Sequence, residues 1–369
     1  MKVLYIGHHH EGSAWSRASI EYCLALDSIG VEVVPRTVKL GGQCKELPER
    51  FRELEARNAR GCDVVIQHVL PHFFVYDGKY KKNIGMFASE TTKLGLGWEN
   101  YCNIMDHIIV FNDFSYKTCI DSNVNIPISV IGHPVDIEKY NRPRKKIELG
   151  PDFLFYGIGD IGARKNWGSL IRVFHSTFDP SEPVSLVLKV NSPGMSSHDT
   201  VNIVNNMINT IKMDMRMYPK LTDYKGDIII SDYLSEDELL DLHYTCDCLC
   251  STSHGEGFSF PILDAVGFGK QVITPSNACP NSMSTSINKI NISYSPVTGV
   301  RNTLDGLFTA HESWGSVDLQ EFGYMMRAVY ELNFNTYYRN NVANEAKKNI
   351  EKFSYKSIGT KLLEIITNG

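Results

Sequence analysis

The sequence predicts two doubly wound α/β domains in tandem, on three observations. Short apolar runs of strand length alternate with amphipathic stretches of helix length along most of the chain. The alternation breaks once, at "EKYNRPRKKIELGPD", a polar and basic stretch with two prolines, and then restarts. The 369 residues suffice for two ordinary domains, each with its own core.

In the first half "KVLYIG" reads as a strand, "SAWSRASIEYCLALDSIG" as a helix closing at Gly30, and "VEVVPRTV" and "CDVVIQHVL" as further strands. "NIGMFA", "HIIVFN" and "PISVIG" continue the pattern. After the break come "FLFYGIGDIG", a strand and glycine loop, the helix "NWGSLIRVFHSTF", the strand "VSLVLKV", the helix "VNIVNNMINTIKMDMRM" and the strand "GDIIIS". "SEDELLDLHYTC" is a helix, and "CDCLCS" a short buried strand. The boundaries that follow are an N-terminal Rossmann-like domain at 1–140, a linker at 141–151 and a second Rossmann-like domain at 152–350. A C-terminal helix at 351–369 could pack on either domain, including back across to the first. A cleft between the carboxyl ends of the two sheets is the expected ligand site.

Apolar residues make up 43% and charged residues 21%, ordinary values for a globular protein. No apolar run is long enough to span a bilayer, and "MKVLYIGHHHEG" lacks the form of a secretory signal, so a cytoplasmic location is expected. A net charge of −5 disfavours a dedicated nucleic-acid surface. Nine cysteines, an odd number without pairing rhythm, fit reduced and mostly buried thiols. Cys246, Cys248 and Cys250 alternate and would share one strand face, as buried structural residues and not as a zinc site.

The densest signal is "SHGEGFSFPILDAVGFGKQVITP". Pro261 suits the first turn of a helix and Gly269 its end, so this is strand, glycine turn and helix. Free N–H groups at such a helix start favour an anion, and Glu256 stands beside them. "GIGDIG" invites a dinucleotide reading, but Lys189 to Asn191 occupy the place where an acid should hold the ribose, and that reading fails. "ARKN" puts Arg164 and Lys165 at the mouth of a helix, where the dipole disfavours cations unless an anion is bound, so the pair reads as a diphosphate clamp.

"RKNWGSLIRVF" together with "DYLSEDELLDLHYTCDCLCSTSHGEGFSFPILDAVGFGKQVITP" resembles the donor-binding half of retaining GT-B glycosyltransferases, whose signature sets two acids with seven residues between them. "SETTKLGLGWENYCNIMDHIIVFNDFSYKTC" and "ISVIGHPVDIEKY" resemble the N-terminal half of one branch of that family. The resemblance implies GT-B architecture, a nucleotide diphosphate sugar as donor, and no metal or other cofactor. It implies that Glu256 contacts the donor sugar, that Gly257, Phe258 and Ser259 offer N–H groups to the distal phosphate, and that Asp264 holds the ribose. Arg164 and Lys165 would neutralise phosphate, Tyr233 and Leu234 would frame the base, and Gly12 and Ser13 would form the glycine loop of the first domain.

Three departures from the family pattern stand out. Asp264 replaces a glutamate, Ile158 stands where many members carry an arginine, and the usual N-terminal histidine is replaced by "ASETTKL". Glu90, His9 and His133 are the acceptor-side candidates. The histidines 8 to 10 diverge along the chain and are not expected to hold a metal, and a structural role is the simpler reading for His68 and His133. The expected acceptor is a glycan or lipid-linked glycan, with a modified nucleic-acid base as a minority alternative. A sugar-nucleotide-binding protein without transfer activity is the alternative function.

Overall fold

The computed structural model describes residues 1–39, 46–192, 194–279, 283, 287–298, 300 and 307–368. Its N-terminal half contains, in order, β1 (Lys2–Gly7), α1 (Ala14–Ser28), β2 (Glu32–Thr37), α2 (Glu49–Glu55), β3 (Val64–His68) and β4 (Lys82–Met86). It continues with α3 (Trp98–Asn103), β5 (His107–Val110), α4 (Asp113–Asp121) and β6 (Ile128–Val130). The strands form one parallel sheet in the order β2-β1-β3-β4-β5-β6. Pro35 is tolerated in β2 because that strand lies at the edge, where a missing N–H breaks no ladder on its outer side.

The second half contains β7 (Phe153–Asp160), α5 (Trp167–Thr177), β8 (Val184–Asn191), α6 (Ser197–Met215), β9 (Ile228–Ile230), α7 (Glu236–Thr245) and β10 (Cys248–Cys250). Then follow α8 (Phe260–Gly267), β11 (Gln271–Pro275), β12 (Ile287–Ile290), a hairpin of β13 (Ile292–Pro296) and β14 (Ser313–Val317), α9 (Leu319–Leu332), α10 (Thr336–Glu351) and α11 (Tyr355–Thr367). The second parallel sheet runs β12-β11-β10-β7-β8-β9. Strand order reverses between β7 and β10, and in open α/β sheets the crevice beyond such a switch point is where ligands bind. Among the described residues no helix is long and apolar enough to cross a membrane.

Two details differ from the sequence reading. Gly157 to Asp160 do not turn; they continue β7 in register with Leu188 to Asn191, because Gly157 lets the Trp167 ring pack against the strand. Cys248 and Cys250 share a face of β10, whereas Cys246 caps the end of α7 and packs into a different cluster. A three-residue strand leaves Cys246 outside the alternation.

The halves are joined by a buried seam. His133 stacks on Phe260 at 4.8 Å and lies 4.6 Å from the Phe258 ring, with Tyr22 and Phe111 of the first half on its other sides. A side chain at Gly132 would strike Phe353 and Phe258, so bare backbone is needed there. α11 packs on α1: the Tyr355 hydroxyl donates to Glu21 at 2.5 Å, and Gly359 lies against the Ala25 carbonyl. The strongest seam contact is polar. Arg17 of α1 meets Asp264 of α8 through two parallel bonds of 2.8 and 2.9 Å, and its guanidinium lies 4.0 Å from the Phe260 ring centre. Tyr140 donates to the same carboxylate at 2.7 Å, and Lys139 Nζ stands 3.3 Å from it. Burial alone would push the Asp264 carboxyl up, but Arg17 and Lys139 hold it well below the usual carboxylate range.

Removing one partner of such a pair strands a buried charge. Arg17→Met should therefore cost about 3–5 kcal/mol in urea unfolding, and Arg17→Met with Asp264→Leu together less than the sum of the two single changes. The wild-type advantage over Arg17→Met should be full at neutral pH and shrink as pH falls below about 4, since the Asp264 carboxyl titrates lower in the folded state than in the unfolded chain. A loss under about 1 kcal/mol at neutral pH would place the pair among solvated surface bridges.

Candidate functional site

The Glu256 turn, residues 251–257 between β10 and α8, is laced to the loop that carries Arg164 and Lys165. His254 N–H donates to the Arg164 carbonyl at 2.8 Å, Thr252 Oγ1 donates to the Asn166 carbonyl at 2.8 Å, and Asn166 Nδ2 donates back to the Thr252 carbonyl at 3.1 Å. Asn166 adopts a left-handed backbone, φ 51°, which turns the chain from the short 3-10 turn Ala163–Lys165 into α5. The lacing points both cations at one carboxylate. Lys165 Nζ lies 2.6 Å from Glu256 Oε1, and an Arg164 guanidinium nitrogen lies 3.3 Å from Oε2. The Lys165 stem passes close over Gly159, which has no side chain to block it.

The opposite wall comes from the first domain. Arg164 Nε also pairs with Glu90 at 3.1 Å, so the acceptor-side acid and the clamp meet across the cleft. A Cβ on Gly255 would fall 1.9 Å from the Glu90 carbonyl oxygen, and one on Gly257 would fall 2.5 Å from the Ala88 methyl. The glycines around Glu256 are thus what let residues 88–90 approach the turn. Asn112, at the end of β5, donates from Nδ2 to the Glu256 carbonyl at 2.9 Å and caps α4 through Oδ1, which accepts from Ser115 N–H at 2.7 Å. The hairpin adds a second tie: Thr92 N–H donates to the Ser313 carbonyl and Ser313 N–H to Thr92 Oγ1, each at 3.0 Å. His254 stacks on Trp314 of β14 at 5.4 Å. Asn112 and the hairpin were not among the expected site residues. Asn112 carries the only local signal, a capping residue before "DFS".

A small cavity of about 20 Å³ lies at this point, lined by Ile158, Lys165, Thr252, Glu256, Ser259 and Pro261. Ser259 is the cap residue of α8, but its side chain makes no capping bond and the first turn carries no acid, so the helix start retains its attraction for an anion. Burial would raise the Glu256 carboxyl, yet Lys165 and Arg164 bring it down to about 2, and it stays ionised at neutral pH. Burial pushes the Glu90 carboxyl up in spite of Arg164. The arrangement can hold a negatively charged group between two cations and a helix start, with an ionised carboxylate beside it.

The other expected residues fall into two groups. Gly12 and Tyr233 face each other across the cleft, the hydroxyl lying 3.7 Å from where a Gly12 Cβ would stand, and Ser13 caps α1 by accepting from Ser16 N–H. Leu234 packs on the core just beyond β9, and Phe258 has its ring in the seam. Three residues are placed elsewhere. Asp264, expected at ribose hydroxyls, is 1% exposed and has both oxygens taken by Arg17, Tyr140 and Lys139; the shorter aspartate arm stays in the seam. His9 is buried between Tyr5 and Phe51, where desolvation lowers its pKa to about 3, and it does not reach the cleft. His133 is a seam residue, bonded to the Tyr22 hydroxyl at 3.2 Å and held neutral by burial. His8 turns to the Val38 carbonyl and His10 to Glu55, so the three consecutive histidines diverge. Among the described residues no group of three or more His, Cys, Asp or Glu side chains is placed to hold a metal ion.

No family model matches this sequence, and a search among curated proteins finds no match. Solved structures do match. HepE from Anabaena in complex with UDP-glucose aligns over 100% of both chains at 13% identity, with a TM-score of 0.63. A glycosyltransferase from Rickettsia africae aligns over 100% of this chain and 99% of its own at 12% identity, TM-score 0.66. Sucrose-phosphate synthase from Thermosynechococcus elongatus aligns over 99% and 98% at 12% identity, TM-score 0.65. The two parallel-sheet domains and the cleft between them have the GT-B fold.

Gly255→Ala tests the close approach of the two walls. Gly255 has no left-handed backbone to lose, so the added methyl acts only by pushing residues 88–90 away. Hydrogen exchange should speed up together in segments 88–92 and 252–258 while the sheets keep their protection. Unchanged exchange in both segments would mean that the walls do not meet in solution.

Proposed function

We propose that the protein is a glycosyltransferase that moves a sugar from a nucleoside diphosphate sugar to an acceptor hydroxyl in the cleft, with retention at the anomeric carbon and without a divalent metal. The observation that carries this reading is the ionised Glu256 held by Lys165 and Arg164 at the uncapped start of α8, in a GT-B cleft. Arg164, Lys165, Tyr233, Leu234, Gly12, Ser13 and the N–H groups of Gly257 to Ser259 are the proposed donor contacts. Glu90 is the proposed acceptor contact. Asp264 would reach a ribose only by exchanging Arg17 for it.

In this mechanism the bond between the anomeric carbon and the diphosphate oxygen breaks as the acceptor oxygen bonds to the same face of that carbon, and the acceptor proton passes to the departing phosphate oxygen. Charge grows on the leaving group, and the two cations with the helix start stabilise it there. As substrate phosphate draws Lys165 and Arg164 to itself, Glu256 is released toward the sugar. Residues 88–92 exclude water, which would otherwise act as acceptor. The acceptor is proposed to be a glycan or lipid-linked glycan, with a modified nucleic-acid base as the lesser alternative. The eight described cysteines are all free, which suits a cytoplasmic setting.

Glu256→Gln should lower the melting temperature, since it takes the carboxylate from Lys165, yet leave the protein folded, and it should lower turnover about 10²-fold or more, as loss of an interaction made mainly in the transition state does. Unchanged turnover in the folded variant would remove Glu256 from the reaction. Nucleotide-sugar binding without transfer to any acceptor or to water would favour a binding protein. Transfer should persist in excess EDTA, since the two cations supply the positive charge; complete loss, restored by manganese or magnesium, would overturn metal independence.

A further inference from the structure

Three lysines are buried among the described residues: Lys139, Lys189 and Lys212. Two have carboxylate partners. Lys139 Nζ lies 3.3 Å from Asp264, and Lys212 Nζ lies 2.6 Å from Asp227. Among the described residues Lys189 has neither an ion-pair partner nor a side-chain hydrogen bond, although it is only 5% exposed. Its ammonium nitrogen is not among the side-chain atoms sealed from solvent, so the stem is buried and the charged tip keeps an opening. Burial lowers its pKa, and the more distant Asp232 opposes this only in part. An ammonium at the opening of a buried stem, with no carboxylate bonded to it among the described residues, has its charge free for a ligand.

The place of Lys189 says what that something is. In the sheet register it sits between Ile158 of β7 and Ile230 of β9, and neighbours across a parallel ladder point to the same face. Ile158 lines the small cavity beside Lys165 and Glu256, and Tyr233 follows Ile230 by three residues. Lys189 therefore stands at the carboxyl end of its strand, between the anion pocket and the far end of the cleft. The pocket itself is already neutral: Arg164 and Lys165 face Glu90 and Glu256. Arg164 and Lys165 can meet a diphosphate only by leaving these carboxylates, so a cation held outside the pairs adds attraction that they do not supply. An ammonium is a donor only, and it bonds a phosphate oxygen more strongly than the neutral carbonyl of a base.

We infer that Lys189 is that further cation, its ammonium meeting a phosphate oxygen of the nucleoside diphosphate bound at the strand ends. The inference rests on the nucleotide reading of the cleft proposed above. It adds a binding residue on β8, a strand that otherwise contributes nothing to the pocket.

Lys189→Met keeps the buried stem and removes the charge. Calorimetry on wild type and variant would use UDP, GDP, inorganic pyrophosphate, uridine and guanosine. The variant should bind the diphosphates and pyrophosphate about tenfold to a hundredfold more weakly, the usual span for a hydrogen bond to a charged group. It should bind the nucleosides as wild type does, and it should melt no lower. Lys189→Arg, which keeps the charge, should retain diphosphate binding within a few-fold and guards against a folding defect. Equal affinity of wild type and Lys189→Met for pyrophosphate and diphosphates would overturn the inference while leaving the nucleotide reading intact. So would an equal loss for nucleosides, which would assign Lys189 to the base. Wild type that binds pyrophosphate but no nucleotide would sink the nucleotide reading, and the pyrophosphate comparison would still decide Lys189. Wild type that binds neither would overturn both.

Discussion

A guanidinium and a carboxylate, buried against each other between the sheets, set the geometry on which the cleft depends. Asp264 and the Glu256 turn belong to the two ends of one short segment, the turn leading into α8 and the aspartate lying within it. Fixing Asp264 on Arg17 and Tyr140 therefore fixes the start of α8 relative to the first domain. Few contacts could do this as well: a bidentate pair specifies direction as well as distance, and a desolvated one leaves no alternative partner of equal strength. The aromatic rings of Phe258, Phe260 and His133 fill the space around it and keep water out.

With the seam fixed, the wall residues 88–92 arrive against the glycines of the turn, and the site neutralises itself. Glu256 and Glu90 are the internal counter-ions of Lys165 and Arg164. Such a pocket carries no large uncompensated charge while empty, which spares it the desolvation cost of bare cations. The same pairing means that an anionic ligand competes with carboxylates already in place, so affinity is a difference between two sets of ion pairs.

The sequence was most legible where structure is local. Strand runs, the Pro261 start and the Gly269 end of α8, and the glycines flanking Glu256 are all written in neighbouring residues, and the periodicity of the halves carried the fold class. What it did not show is tertiary. Nothing near Arg17 signals a partner 247 residues away, and the motif around Asp264 carries no trace of the cation that holds it. The second role of Asn112 is not written beside it, because the bond from Nδ2 runs to a carbonyl in the other domain. The β13–β14 hairpin was hidden for a related reason. Its strands are short and largely polar, and their alignment depends on Gly315 and on His254 from a distant loop.

The packing of α11 on α1 has a consequence for the order of synthesis. α1 spans Ala14–Ser28, but the face of it that carries Glu21 and Ala25 is covered by Tyr355 and Gly359, so Glu21 waits for a partner 334 residues further along the chain. The first sheet can form early from its own strands, yet one helix of that domain keeps a bare side until α11 has been made. Lys82 of β4 likewise waits for the carbonyls of Ile365 and Asn368. α11 therefore acts as a clasp: the early domain is sealed only once the chain has been made past Gly359, and a product truncated before Tyr355 would display the open side of α1 to whatever surveys unfinished proteins.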